Sequence, residues 1–301
     1  MICKDYLKEQ QGIALVVTLL ALVLITAMVV EFSYGVYTGT NNLYNWRDSQ
    51  RLSIMAKSGI NVSAKLLPDV LREKGYSPGS MEFPVENPFE DFEGKILLRI
   101  EDESSKFNIN STVFSRGNKI NEPAYKSFKK LLEVLSLDDK IADRVTEWIR
   151  KKRASGSSPA EAGMKYYKLP SVDELLLIDG IGRSDYDKLL PYVTVYGPPD
   201  EFAINVNGAG KAVLMSILGP GDEVFPIAEG LADKIIRFRE LTPFDVGSFK
   251  SFTGISFSPD RATTTGKFFT IKSIASSGGV KRIIETVLNT DTRTILYWKE
   301  Y

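Results

Sequence analysis

Residues Ile13 to Val30 read IALVVTLLALVLITAMVV, a run with no charge, broken only by Thr18 and Thr26. As a helix this segment spans about 27 Å, close to the roughly 30 Å hydrocarbon core of a bilayer. A secretory signal has a shorter apolar region followed by a small-residue cleavage site. Here the apolar run passes into Glu31-Phe-Ser-Tyr and a pattern that is still helical. The segment therefore predicts a retained membrane helix, with a buried soluble helix or a removed signal as the alternatives.

Beyond Tyr44 the chain becomes wetter, with Arg47, Asp48, Arg51 and Lys57. Leu52, Met55, Gly59, Val62, Leu66 and Val70 return at three- and four-residue spacings, which places them on one helical face. These spacings predict a single helix from Ile13 to Leu71, its later half packing that stripe on a sheet. Two helices hinged near Gly35 and Gly39 are the alternative, since glycine weakens a helix interior. Gly75 to Pro88, GYSPGSMEFPVENP, reads as a connection, and Lys95 to Ile100 as a strand. The acidic run Glu86, Glu90, Asp91 and Glu93 reads as a solvated surface, with a cation site as the alternative.

Chemistry is bounded by what the chain lacks. Its 301 residues contain no histidine and a single cysteine, Cys3. That excludes His-based triads, imidazole metal centres, internal disulfides and multi-cysteine metal sites. Lys plus Arg and Asp plus Glu both total 38, so no long-range field selects nucleic acid or another highly charged partner. A glycosidase-like hydrolase built on paired carboxylates would need a deep pocket with two buried, facing acids.

The middle of the chain contains a repeat. Phe107-Asn-Ile-Asn-Ser precedes Ile141-Ala-Asp-Arg-Val-Thr-Glu-Trp-Ile, and Ile204-Asn-Val-Asn-Gly precedes Leu231-Ala-Asp-Lys-Ile-Ile-Arg-Phe. Two related small helical domains are the economical reading. Asn108, Asn110, Asn205 and Asn207 suit backbone pairing and capping of the following helix. Ser171 and Glu174 form a capping-box pattern leading into Ile178-Asp-Gly-Ile-Gly182. That glycine turn resembles a helix-hairpin-helix, whose amides can hold a DNA phosphate. Arg183 and Lys188 are opposed there by Asp179, Asp185 and Asp187, which favours a structural hairpin. Three C-terminal segments, 251–257, 267–275 and 280–288, have strand character, as does 294–299, and Gly278-Gly279 marks a hairpin turn between two of them.

The leader MICKDYLKEQQG balances Lys4 and Lys8 against Asp5 and Glu9 and ends in Gly12. A polar leader, a glycine and an uninterrupted apolar stretch resemble the class III signal of type IV pilins and type II secretion pseudopilins. The resemblance implies cleavage by a prepilin peptidase between Gly12 and Ile13, methylation of Ile13 and survival of the membrane helix. Most of that family carry glutamate at the fifth mature position; here it is Val17, a departure that resembles the GspK-type minor pseudopilins of the filament tip. FNIN, ADRVTEWI, YYKLPSVDELLLIDGIG, LLPYVTVYG and INVNGAG are similar to successive landmarks of that family.

The resemblance implies an α+β fold: a pilin-like long N-terminal helix packed on an antiparallel sheet, with two inserted SAM-like helical domains. The expected divisions are a leader at 1–12, the helix at 13–71, a linker and first strand at 72–105, helical domains at 106–197 and 198–248, and a C-terminal sheet at 249–301. Some members bind calcium between the tryptophan and paired tyrosines. In this chain Glu161 is retained there as an oxygen ligand, but Arg150-Lys-Lys-Arg153 puts positive charge where several convergent oxygens are needed. No other cofactor or metal is expected, and no enzymatic activity. The implied partners are other minor pseudopilins, the major pseudopilin, the prepilin peptidase, the inner-membrane assembly platform and lipid, with no nucleic acid. The implied location is the inner membrane, single-pass, with a cytoplasmic N-terminus and a periplasmic body. A minor pilin of a type IV pilus and a membrane-tethered DNA receptor remain the alternatives.

Overall fold

The computed structural model describes residues 3–85, 93–115, 119–150, 168–198, 200–222 and 227–301; side chains are described from Ile13 onward, Asp222 excepted. The chain divides into two compact units, residues 1–54 and 55–301. One helix, α1 (Cys3–Lys74, 72 residues), supplies nearly all of the first unit and the opening of the second. It runs unbroken through Gly35 and Gly39, so the hinged alternative does not occur.

In the second unit, α1 lies on a five-stranded antiparallel sheet. Its strands are β1 (Ser80–Val85), β2 (Lys95–Asp102), β7 (Phe268–Ser277), β8 (Val280–Asn289) and β9 (Thr294–Glu300), side by side in that order. Two-residue alternation sends Ile96, Leu98 and Ile100 of β2, Phe269, Ile271 and Ala275 of β7, and Ile284 and Leu288 of β8 into the core. At Gly59 the helix backbone approaches the sheet closely. A Cβ there would stand 2.3 Å from Ser273 Oγ and 3.0 Å from Leu98 Cδ2. Gly278 and Gly279 turn β7 into β8 at φ of 54° and 85°, the left-handed geometry of a tight hairpin.

Three expectations change. The buried face of α1 is Met55, Ala56, Gly59, Ile60, Ser63, Leu67 and Leu71, while Val62, Leu66 and Val70 are exposed. From Gly59 onward the burial follows the i+4 row, which winds obliquely about the axis, whereas the sequence pattern drifted onto the adjacent row. Residues 80–85 are a strand instead of a connection; Pro84 is accommodated because β1 is an edge. Residues 251–253 close a helix instead of forming a strand. Asp245 and Ser248 exchange backbone-to-side-chain bonds at 2.8 and 2.9 Å, and Gly254 ends the helix at φ 70°.

Two helical subdomains are inserted between β2 and β7. The first contains β3 (Phe107–Asn108), α2 (Glu122–Val134), α3 (Lys140–Ile149), α4 (Arg183–Leu189) and β4 (Val193–Thr194). The second contains β5 (Ile204–Asn205), α5 (Lys211–Met215), α6 (Glu229–Leu241), α7 (Val246–Thr253) and β6 (Ala262–Thr263). In each, the opening strand pairs in parallel with the closing one, β3 with β4 and β5 with β6. The second subdomain therefore extends past residue 248 to β6, and the sheet resumes at Phe268.

The two subdomains share one continuous apolar core, whose aromatic content differs between them. The first stacks Phe107 on Phe128, with ring centres 5.3 Å apart. The second gathers Phe238, Phe244, Phe249 and Phe252, with Phe244 lying 4.8 Å from Phe238 and 5.3 Å from Phe249. The 249/252 spacing is helical, so these aromatic residues line one face of α7 and not alternate faces of a strand.

Candidate functional site

The first unit is an apolar helix. Every residue from Ile13 to Tyr37 is exposed, and an 18-residue window in this helix has a mean hydropathy of 3.0. Its two polar interruptions are satisfied within the helix: Thr18 Oγ1 donates to Leu15 O at 2.9 Å and Thr26 Oγ1 to Leu22 O at 2.7 Å. Such internal pairing is what hydrocarbon requires of a polar group. Gly12 and Ile13 both lie within α1, and Val17 is exposed on it.

In the second unit, α1 presents a further apolar row to solvent. Val62, Leu66 and Val70 lie one turn apart and are 41, 54 and 39 % exposed. These are the residues that the sequence pattern assigned to the sheet-facing stripe; their periodicity is genuine, but the sheet covers the neighbouring row.

The four asparagines form a pair of equivalent clamps. Asn108 Oδ1 accepts from Asn110 N at 3.1 Å, and Asn205 Oδ1 from Asn207 N at 3.0 Å. Asn110 then receives Leu169 N at 2.7 Å and donates to Leu169 O at 2.8 Å and Val195 O at 3.0 Å. Asn207 receives Phe244 N at 2.8 Å and donates to Phe244 O at 2.9 Å and Thr264 O at 3.2 Å. Asn108 caps only a 3₁₀ turn, Ile109–Thr112. The second asparagine of each pair does something the expected helix-capping role omitted: it ties the opening segment to two distant backbone segments.

Two adjacent carboxylates that sequence reading passed over as the boundary of a strand join the subdomains to the sheet. Glu103, buried, accepts from Thr270 Oγ1 of β7 at 2.6 Å, from Thr194 Oγ1 of β4, and from Lys106 Nζ at 3.1 Å. Burial works against the Lys106 ammonium, but Glu103 and Glu101 outweigh it and hold its pKa above the ordinary value. Asp102, also buried, accepts from Ser77 Oγ and Asn205 Nδ2, both at 2.7 Å, and from Ser104 N at 2.8 Å. Among the described residues no cation forms an ion pair with it. Burial pushes its pKa up to about 6 despite those three donors.

The glycine turn at 178–182 is exposed at Gly180 and Gly182, and Gly180 has φ 81°. Its polar groups are engaged: Gly182 N donates to Asp185 Oδ2 at 3.1 Å, and Gly180 O accepts from Arg144 Nη1 at 2.6 Å. Arg183 pairs with Asp187 at 2.9 Å. An internal carboxylate thus occupies the amide that would otherwise meet a phosphate, and the structure supports a hairpin with an architectural role. Ser171 does act as a cap, accepting from Asp173 N at 3.2 Å, but the element it caps is a 3₁₀ turn, Val172–Leu177. Glu161 lies outside the described residues, as do Glu86, Glu90 and Asp91. Among the described residues no group of three or more Cys, Asp or Glu side chains is placed to hold a metal.

Residues 105–199, which enclose the first helical subdomain, match the family model described as type II secretion system protein K. The type II secretion system protein K of Pseudomonas aeruginosa strain PAO1 is 26 % identical over 262 residues, covering 77 % of this chain and 73 % of that protein. The protein of the same description from Dickeya chrysanthemi is 32 % identical over 149 residues, covering 46 % of this chain and 40 % of the relative. A chain in the crystal structure of the GspK–GspI–GspJ complex from the enterotoxigenic Escherichia coli type 2 secretion system shares the fold. It gives a TM-score of 0.57 at 15 % identity, covering 86 % of this chain and 99 % of that one. The chain is thus similar to type II secretion system protein K in sequence, over the first helical subdomain and beyond it, and shares its fold with the GspK–GspI–GspJ chain. These protein K relatives are secretion-system components, and their descriptions name no catalytic activity. The shared fold accounts for the long helix, the antiparallel sheet and the helical insertions together.

Proposed function

We propose that this chain is a protein K of the type II secretion system, a minor pseudopilin at the tip of the periplasmic pseudopilus in type II protein secretion. The observation that carries the reading is α1 itself. One helix combines a fully exposed apolar segment of bilayer-crossing length with a later segment whose buried face lies on an antiparallel sheet. The Ile13–Val30 segment anchors the subunit in the inner membrane, with the N-terminus cytoplasmic and the body periplasmic. Prepilin peptidase cuts between Gly12 and Ile13, and Ile13 becomes methylated. Val17 at the fifth mature position offers no carboxylate to a subunit above it, which suits a terminal place in the filament.

Its partners are other minor pseudopilins, of the kind that GspI and GspJ are to GspK in the structural relative, together with the major pseudopilin and the assembly platform. The Val62, Leu66 and Val70 row is the surface on the body that fits a partner's amphipathic helix, with residues spaced for helix-on-helix packing. To test this, full-length protein is purified from membranes and analysed by intact mass and by identification of associated subunits. A chain that starts at methylated Ile13 and carries pseudopilins supports the reading, as does an approximately tenfold loss of those subunits in Leu66→Asp. An unprocessed chain with no associated pseudopilin overturns it.

A further inference from the structure

Between the sheet face opposite α1 and the first helical subdomain runs a groove of about 640 Å³. Its floor spans four strands: Glu101 of β2, Lys272 of β7, Glu285 of β8, and Tyr297 and Lys299 of β9. Tyr186 and Tyr196 form the facing wall, and Tyr301 stands at the open end. Volumes of this order accommodate small ligands. We propose that this groove binds a neutral oligosaccharide.

Charge is the first selector. Lys272 pairs with Glu285 at 3.3 Å, and Lys106 with Glu103 at 3.1 Å and Glu101 at 3.5 Å. Asp173 accepts the Tyr186 hydroxyl at 2.5 Å, and the Lys299 ammonium stands 4.5 Å from the Tyr301 ring centre. With four acids, Glu101, Glu103, Asp173 and Glu285, against three lysines, Lys106, Lys272 and Lys299, the lining offers donors and acceptors with a slight acidic excess, which does not select phosphates or other strongly anionic ligands.

Backbone availability is the second. The β7 and β8 strands are paired on both sides, and the free edge of β9 points outward in the plane of the sheet. An extended peptide lying across the floor would find side chains but no ladder to join, and so would lack the main-chain bonds that strand addition supplies. A sugar needs no such ladder. Its C–H face stacks on a tyrosine ring while its hydroxyls bond to carboxylates, ammonium groups and phenols. No described residue hydrogen-bonds the hydroxyls of Tyr196 or Tyr297. Burial, followed by Glu103, pushes the Tyr196 pKa up to about 12, and burial raises that of Tyr297, so both stay protonated donors.

The test is saturation-transfer NMR on the detergent-solubilised full-length protein with chitotetraose and cellotetraose, and with a neutral Pro-Tyr-rich peptide as competitor. Transfer to at least one tetrasaccharide is expected, with affinity falling roughly fivefold in Tyr297→Ala, the scale of one ring contact. Tyr297→Phe, which keeps the ring, is expected to lose less. Tyr301→Ala, at an exposed ring, is the second variant should Tyr297→Ala disturb β9, and it too is expected to weaken binding. No transfer to either sugar overturns the proposal, as does transfer unchanged in both alanine variants. Binding of the peptide alone overturns it in favour of a protein ligand. None of these outcomes depends on filament assembly, so the sugar site and the tip role succeed or fail separately.

Discussion

The two helical subdomains share a frame but are fastened to the sheet by opposite chemistry. Each opens with an Asn-x-Asn strand, clamps a residue preceding a later helical element, and closes with a parallel two-residue strand. Yet the first hangs on Glu103, whose charge is balanced by Lys106, through Thr194. The second hangs on the neighbouring residue, Asp102, which among the described residues has no ion-pair partner and whose hydrogen-bond partners are the neutral donors Ser77, Asn205 and Ser104. Duplication thus preserves the contacts internal to a subdomain, while docking is set by whichever group the sheet presents at that point. Asp102 closes β2 and Glu103 opens the 3₁₀ turn that follows, Glu103–Ser105, so the change of backbone between these consecutive residues lets them serve different subdomains.

If the clamps are equivalent, Asn110→Ala and Asn207→Ala each strand a buried N–H and two carbonyls. Each is expected to cost about 3 kcal/mol, measured by denaturant unfolding. A large cost at one and a negligible cost at the other would break the equivalence.

The fastenings separate through pH. For Asp102 the folded pKa of about 6 lies above its ordinary 3.8, so the native state binds the proton more readily than the unfolded chain does. Its contribution therefore grows as pH falls through the folded pKa, and is complete below 3.8. Wild type is expected to gain stability relative to Asp102→Asn on going from about pH 7 to about pH 4, by up to roughly 3 kcal/mol. Parallel unfolding curves across that range would show that the three donors offset burial completely. The smallest effect concerns a feature of the first subdomain alone. Gly180→Ala places a Cβ 2.5 Å from the Arg144 guanidinium at a φ of 81° and is expected to lower stability by about 1–2 kcal/mol in thermal melts.

The anchor, the repeat, the central strands and the glycine hairpin were legible because each is a local pattern: an uncharged run, a repeated word, alternation, or a residue needing positive φ. The α1 stripe was legible only as far as Gly59. Two rows one residue apart satisfy helical spacing equally well, and the oblique crossing of helix and sheet decides which is covered. Residues 251–253 read as a strand by their aromatic content, although Asp245, Ser248 and Gly254 already marked a helix start and stop. The asparagines were visible as backbone-pairing residues, but the partners of Asn110 and Asn207, 37 to 85 positions away, were not. Asp102 and Glu103 carried no signal beyond two more acids in a chain with 38.

By itself, then, the sequence determined a membrane-length apolar helix, the absence of histidine chemistry, and a duplicated helical insertion, since each depends on neighbours within a few turns of chain. Only tertiary structure decided which helical row meets the sheet, which carboxylate fastens which subdomain, and that tyrosines from β9 and the first insertion face one groove. Those outcomes depend on groups far apart in the chain being brought within a hydrogen bond's length, where burial rather than residue type sets the energy of a charge.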